Sequence, residues 1–268
     1  MEVESYKSSE CLDGVCEVEL SSWKMFYSFI TGSMLDNIDC VFRGQRDISW
    51  KLEPSFDRLV QSCGKKPTKD ILNKHLQSFK YSKRGRVKNF NANEFSENDW
   101  WALGQHYGLV SPLLDWTKSP FIAAYFAFLE KDDGNNTKRV VYVLSKEPLL
   151  DVFKYPEVDY NQYEVLGQYS PSIQIFYPEY DDNPRVIAQQ GLFVRCPTGI
   201  DIETYVKTRF KHVNNEIVLM KILIPGDEIS RKMFLKSLNR MNINHLTLFP
   251  DLQGASIYCN THIEIDNY

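Results

Sequence analysis

The sequence lacks the features of a membrane or secreted protein. It contains no run of about 18 apolar residues, and its first residues, MEVESYKSSECLDG, are acidic and polar without the apolar core of a signal peptide. Its six cysteines form no repeated C-x-x-C pair, which in a chain of 268 residues is typical of reduced thiols. We therefore predict a cytoplasmic protein with unpaired cysteines and no membrane partner.

Several motifs that identify enzyme classes are also missing. There is no G-x-x-x-x-G-K-[ST] loop, no G-x-G-x-x-G, no H-E-x-x-H and no nucleophile elbow. The five histidines are isolated in sequence from one another and from paired cysteines, so we predict no metal site. The net charge of -4, with Lys and Arg spread along the chain, does not indicate a nucleic-acid partner.

The residues that are present can bury a substantial core, since 43% are hydrophobic and 13% aromatic. Helical patterns occupy the front of the chain, and they are predicted at 21–31, after Thr68, at 96–108 and at 119–129. Branched apolar runs at 139–145, 191–196 and 216–225 predict strands, and a last helix follows with Ile229, Met233 and Leu238 facing inward.

No repeat or low-complexity linker separates these two regions. We therefore predict a single α+β domain over residues 21–268, with a mostly antiparallel sheet flanked by helices, after a polar leader at 1–20.

Polar residues interrupt the core-like segment QHYGLVSPLLDWTKSPFIAAYFAF at 105–128. Asp115 and Thr117 are two residues apart on an extended stretch, so they share one face just before a helix whose N-terminus favours anions. Ser119 is predicted to cap that helix. Upstream, Arg43 precedes Gly44 at a strand, where a guanidinium beside an unencumbered backbone suits capture of a phosphate or carboxylate.

A third polar group is predicted where the strand GLFVR opens, from Gln189 or Gln190. His106 is either a general base or the end of a helix. A separate basic run with interleaved aromatics could follow a nucleic-acid backbone, although a solvated helix end is the favoured interpretation. Its residues are Lys80, Lys83, Arg84, Arg86 and Lys88 with Phe79, Tyr81 and Phe90.

Three stretches together, VFRGQ (41–45), QHYGLVSPLLDWTKSPFIAAYFA (105–127) and RVIAQQGLF (185–193), followed by KILIPGDEI and LFPDLQG, resemble the FRG domain family, named for its Phe-Arg-Gly motif. The resemblance covers roughly residues 20–260. Family members usually carry Thr-Arg where this chain has Ser111 and Pro112. They resemble components of bacterial defence and toxin systems.

The order of these parts also resembles, more weakly, that of ADP-ribosyltransferases. This resemblance implies NAD as the cofactor, with an arginine on its phosphate or ribose, a Ser/Thr segment on the nicotinamide ribose, and a carboxylate beside the breaking glycosidic bond. In this chain glutamine stands at the last position, and Glu216 is the rival for an acidic group. The implied catalytic residues are Arg43, Asp115, Thr117 and Gln190. The implied cofactor-binding residues are Arg43, Gly44, His106, Tyr107 and Ser119.

A non-catalytic alternative remains open, in which Arg43 and Asp115 form a buried pair inside an interaction or sensor domain with a protein partner. The two interpretations differ in geometry. An open cleft lined by Arg43, Asp115 and Gln190 favours a nucleotide ligand, whereas a sealed and mutually paired network favours a structural role.

Overall fold

The computed structural model describes residues 6–86, 95–131, 138–150, 173–178, 184–213 and 216–268. The strands are β1 (Lys7–Ser8), β2 (Val15–Glu19), β3 (Cys40–Gln45), β4 (Leu113–Thr117), β5 (Arg139–Ser145), β6 (Gln174–Phe176), β7 (Gly191–Arg195) and β8 (Leu219–Ile224). The helices are α1 (Trp23–Phe29), α2 (Ser55–Ser62), α3 (Lys69–Ser82), α4 (Glu97–His106), α5 (Pro120–Phe128), α6 (Lys146–Leu150), α7 (Pro184–Ala188), α8 (Ile202–Arg209), α9 (Glu228–Arg240), α10 (His245–Leu248) and α11 (Leu252–Glu264). A π-helical turn, Ile30–Met34, extends α1.

The strands form one eight-stranded sheet in the order β1-β2-β8-β5-β3-β4-β7-β6. Only β2 and β8 run parallel among the described pairs, and the others are antiparallel. The predicted α+β class with a mostly antiparallel sheet is therefore confirmed. Residues 15–19, which were predicted to belong to a polar leader, form β2, and Val15, Cys16 and Val18 are buried there.

The sheet has a weak junction between β3 and β4. These two strands share a single residue pair, Phe42 with Thr117, whereas β3 pairs with β5 over six residues and β4 pairs with β7 over five. No further residue pair joins the two strands, which leaves a gap in the ladder. We call the strands on its two sides, β1-β2-β8-β5-β3 and β4-β7-β6, the two half-sheets.

Helix α5 covers this junction, and local sequence sets its position. The Ser119 hydroxyl accepts a hydrogen bond from the Ile122 N–H at 3.3 Å, and Pro120 occupies the first turn, as predicted. The small residues Ala123 and Ala127 let the helix approach β3 closely at Gly44. The N-terminus of α5 is thereby fixed directly after β4.

One predicted helix face is wrong. In α9, Leu238 is buried, but Ile229 and Met233 are 82% and 53% exposed. The buried face instead presents Phe234 and Leu235, and Phe234 stacks on Phe128 of α5 at 3.9 Å between ring centroids.

Two further features concern only the part of the chain that the structure describes. No helix in it is both long enough and apolar enough to cross a bilayer. It contains no group of three or more His, Cys, Asp or Glu side chains that could hold a metal ion.

Candidate functional site

A cleft of about 1060 Å³ opens where β3 and β4 separate. This is at the upper end of the usual size of small-molecule sites, about 300–1,000 Å³. Its floor comes from β3, β4 and β7, and its walls come from α2 and the segment leading into it, from α4, α5 and α7, and from Phe249. Polar and charged residues that line it are Arg43, Gln45, Arg46, Lys51, Glu53, Arg58, Gln105, His106, Asp115, Thr117, Glu130, Arg185 and Gln189.

Arg43 reaches across the gap between the half-sheets. Its Nη1 donates a hydrogen bond to the main-chain carbonyl of Asp115, which has no ladder partner on β3. Within the described residues its Nε is buried without a partner, and Nη2 makes no hydrogen bond. Burial lowers the pKa of the Arg43 guanidinium, and the nearby Asp115 opposes this shift. The side chain remains a cation with donor capacity left for a ligand.

Asp115 lies on the floor of the cleft. Asp115 is exposed to solvent at the position where it lines the cleft. Its Oδ1 accepts a hydrogen bond from Gln105 Nε2 at 2.7 Å, and the carboxylate forms no ion pair with Arg43. Burial raises the pKa of the Asp115 carboxyl above its ordinary value, although Arg43 and the Gln105 amide both oppose the rise.

The Thr117 hydroxyl is already engaged. Thr117 lines the cleft and is buried, and its Oγ1 donates to the main-chain carbonyl of Gln189 at 2.7 Å while accepting from the Ser119 N–H at 3.1 Å. Ser119 does not line the cleft, and its own hydroxyl caps α5. Thr117 therefore links β4 to the turn before β7, and Ser119 starts α5 directly after β4.

The two candidates for the third polar group differ in position, since Gln189 lines the cleft and Gln190 does not. Gln190 is exposed on the turn before β7, with φ at +49°, and it does not line the cleft. Its neighbour Gln189 does, and Gln189 Nε2 donates to the Leu248 carbonyl at 3.0 Å. Glu216 precedes β8, where its main-chain carbonyl accepts from Cys11, and it is likewise absent from the lining.

Of the remaining residues predicted to contact a ligand, some line the cleft and others do not. His106 is exposed and lines the cleft, whereas Tyr107 is 71% exposed and does not. Gly44 lines the cleft, but the absence of a side chain there primarily serves packing, since a Cβ would lie 1.8 Å from the Ala123 carbonyl oxygen.

Sequence patterns did not reveal the cations on the cleft walls. Arg58 on α2 donates to the Glu53 carbonyl, and Arg185 on α7 donates to Asp251 at 2.7 Å. Arg185 is thus paired with a carboxylate outside the lining, and the other lining cations, Arg43, Arg46, Lys51 and Arg58, outnumber the lining carboxylates Glu53, Asp115 and Glu130. These residues come from separate parts of the chain, so no linear motif connects them. The cleft has an excess of positive charge.

The basic run lies elsewhere. Lys80 and Lys83 place their ammonium groups 5.1 Å and 4.3 Å from the centroid of the Trp100 ring, and Arg84 stacks on Tyr81. None of these residues lines the cleft, and Lys88 and Phe90 fall outside the described residues.

Comparison with known families adds one finding. Residues 39–136 match the model of the FRG domain. No curated protein and no solved structure matches the chain. The matched range contains β3 and β4, and hence Arg43 and Asp115, while Arg185 and Gln189 come from beyond it.

Proposed function

The chain carries an FRG domain over residues 39–136, and we propose that the cleft built on it binds NAD or a related dinucleotide and breaks the bond between nicotinamide and ribose. The observation that carries this proposal is the relation between Arg43 and Asp115. Both lie on the floor of an open cleft, yet the guanidinium bonds a main-chain carbonyl and not the carboxylate. A pair kept only for the fold would be sealed and mutually bonded, since unpaired buried charges are costly.

The arginines suit the diphosphate of such a ligand. Arg43 has Nη2 available, and a guanidinium fork binds phosphate oxygens through two parallel hydrogen bonds. Arg58 and Lys51 add positive charge on the adjoining wall. The cleft beside the β3–β4 junction has room for the diphosphate. The negative charge of the phosphates would offset the cationic excess of the cleft.

Asp115 supplies the chemistry in this proposal. When the bond from ribose C1′ to nicotinamide nitrogen breaks, the electron pair leaves with nicotinamide and C1′ becomes an oxocarbenium ion. A carboxylate beside this cation stabilises it, and the effect is larger at the floor of a cleft than in bulk water. Water then bonds to C1′ and loses a proton to Asp115 or to solvent, which leaves ADP-ribose. A nucleophile on another molecule would instead accept ADP-ribose.

The order of the structural elements along the chain supports the same proposal. An arginine on a central strand, followed by a strand that leads into a capped helix, resembles the arrangement of ADP-ribosyltransferases. Since Gln190 lies outside the cleft, the proposed carboxylate is Asp115 on β4. The family's resemblance to bacterial defence and toxin components fits an effector that consumes NAD.

The test combines two measurements on the same protein samples: nicotinamide release from NAD and calorimetric binding of NAD. We expect Asp115→Asn to bind NAD while its release rate falls by about 100-fold or more, because a stabilising group in the transition state is lost. We expect Arg43→Ala to lose most NAD affinity while its free energy of unfolding changes by about 1 kcal/mol, because the Asp115 carbonyl regains water in an open cleft.

Exposed residues away from the cleft provide matched controls. Asp36→Asn and Arg84→Ala make the same chemical changes on the surface and should leave binding and release at parental levels. Binding without nicotinamide release would replace the enzymatic proposal with the sensor interpretation. If the parent protein neither binds nor cleaves NAD, the proposal is wrong.

A further inference from the structure

The chain folds back beside Gln105 because of the way α4 ends. The N–H of Gly108 donates to the Gln105 carbonyl at 3.0 Å, and the N–H of Leu109 donates to the Gly104 carbonyl at 2.9 Å. Gly108 has φ at +87°, a conformation that residues with a side chain rarely adopt. This turn brings Ser111 and then Asp115 alongside the Gln105 side chain.

A buried hydroxyl determines how the Gln105 amide is oriented. Ser111 is fully buried, and its Oγ accepts from the Leu113 N–H at 3.0 Å and donates its own proton to Gln105 Oε1. The main-chain N–H of Ser111 is in turn held by the Ser55 hydroxyl of α2 at 3.0 Å. With Oε1 engaged in this way, the NH₂ group of Gln105 points at Asp115 Oδ1.

The opposite orientation of the amide is unfavourable. It would turn Oε1 toward the Asp115 carboxylate, so that two acceptors would face each other without a proton between them. The arrangement is therefore a directed chain of hydrogen bonds from the Leu113 N–H through the Ser111 hydroxyl and the Gln105 amide to the Asp115 carboxylate. The Ser55 hydroxyl of α2 stands outside this chain and accepts from the main-chain N–H of Ser111.

We propose that Gln105 is a positioning residue that holds the Asp115 carboxylate ionised and aimed into the cleft, and that Ser111 fixes the orientation of the Gln105 amide. The inference rests on the proposed function for its catalytic meaning. Its geometry stands without that function. A neutral donor suits this task, because it stabilises the charged form of Asp115 without adding another cation that would compete for the ligand.

Other charged groups near Asp115 do not make this chain redundant. Arg43 approaches from β3, His106 lines the cleft from α4, and Glu53 and Arg58 lie on the wall that includes α2. Within the described residues, Gln105 is the side chain that donates a hydrogen bond to the Asp115 carboxylate. Loss of this donor should therefore be visible in the titration of Asp115 itself.

The experiment follows the side-chain carboxyl carbon of Asp115 by NMR in the full chain as pH is varied. Its resonance is assigned as the one that disappears in Asp115→Asn. In Gln105→Met, which keeps the length of the side chain and removes the donor, we expect the Asp115 pKa to rise above its parental value. In Ser111→Ala the rise should be in the same direction and smaller, whereas Ser111→Thr, which retains the hydroxyl, should stay near the parent.

Gln174→Met serves as the control, because Gln174 is exposed on β6 and accepts only from Asn98 in the described residues. An unchanged Asp115 pKa in Gln105→Met would overturn the proposal, and if that variant does not fold, the same result in Ser111→Ala would do so. The readout needs no substrate. A shifted Asp115 pKa in a protein that never binds NAD would leave the positioning chain intact and remove the proposed function alone.

Discussion

At the scale of single residues, burial raises the pKa of two carboxyl groups whose hydrogen-bond partners differ. Asp115 has an amide donor and a nearby arginine, whereas Asp57 on α2 is only 1% exposed and has no cationic partner among the residues that the structure describes. Asp57 Oδ2 accepts from the Gly199 N–H at 2.8 Å, and its buried Oδ1 accepts no hydrogen bond from the described part of the chain. Burial raises the pKa of Asp57 to about 6, although the Gly199 N–H opposes the rise.

The raised pKa gives Asp57 a pH-dependent effect on the free energy of unfolding. Because its pKa is about 6 in the folded chain and 3.8 ordinarily, the folded state binds more protons between those values, so stability falls as pH rises through that window. A shift of this size corresponds to about 3 kcal/mol. Asp57→Asn keeps the acceptor for Gly199 but cannot ionise.

We therefore expect the stability of Asp57→Asn relative to the parent to improve by about 3 kcal/mol between pH 3 and pH 7. Urea denaturation at a series of pH values measures this difference. Asp70→Asn, at an exposed position on α3, is the control and should track the parent. A stability difference between Asp57→Asn and the parent that does not change with pH would contradict the prediction.

At the scale of secondary-structure elements, the contact between β3 and α5 depends on Gly44. A Cβ at this position would lie 1.8 Å from the Ala123 carbonyl oxygen and 2.7 Å from the Ala127 nitrogen, both of them backbone atoms. Relief would require α5 to move away from β3, because backbone atoms cannot rotate aside as a side chain can. The Phe-Arg-Gly sequence thus combines a cleft-facing arginine with a residue that sets helix packing.

We expect Gly44→Ala to lower the free energy of unfolding by more than about 3 kcal/mol, above the usual range for one extra carbon in a packed core. Gly32→Ala is the matched control, because a Cβ at Gly32 would meet nothing within 4 Å, and its effect should stay below about 1 kcal/mol. Denaturant midpoints compare the two. Equal midpoints for Gly44→Ala and Gly32→Ala would show that α5 adapts without cost.

Elements with strong local signals could be predicted, and those that depend on distant contacts could not. Ser119 and Pro120 specify the start of α5, and the branched run at 139–145 specifies β5, through local chemistry alone. The exposed face of α9 could not be predicted, because Ile229 and Phe234 are similarly apolar and only the position of α5 determines which is buried. The short strand β2 was missed because its pairing with β8 lies some 200 residues away in sequence.

The candidate site shows the same limit. Arg43 and Asp115 could be selected from their residue types and local setting, and the structure places both in the cleft. The choice between Gln189 and Gln190 depended on a turn with positive φ, which no motif indicated. Arg58 and Arg185 join the cleft through tertiary packing, so the sequence carries no local sign of them.

At the scale of the whole molecule, the six cysteines are dispersed through the fold as unpaired residues. Cys16, Cys40 and Cys196 are buried, Cys11 is half-buried, and Cys63 and Cys259 are exposed. Burial raises the pKa of Cys16 to about 11, and it also raises the pKa of Cys40. Buried thiols with raised pKa values react slowly, because the thiolate is the reactive form.

We expect thiol titration of the denatured, unreduced protein to count six groups, and titration of the native protein to show two fast ones, Cys63 and Cys259. Cys63→Ser and Cys259→Ser should each remove one fast group, which identifies them. A count of four or fewer in the denatured protein would require a native disulfide and contradict the prediction of unpaired cysteines.

The single residue pair between β3 and β4 has a mechanical consequence. Since hydrogen-bonded strands do not tie the half-sheets together beyond Phe42 and Thr117, the Arg43 guanidinium acts as a cross-brace to the Asp115 carbonyl. A phosphate bound at Nη2 would share this guanidinium with the brace. Phosphate binding in the cleft and the distance between the two half-sheets would then be coupled.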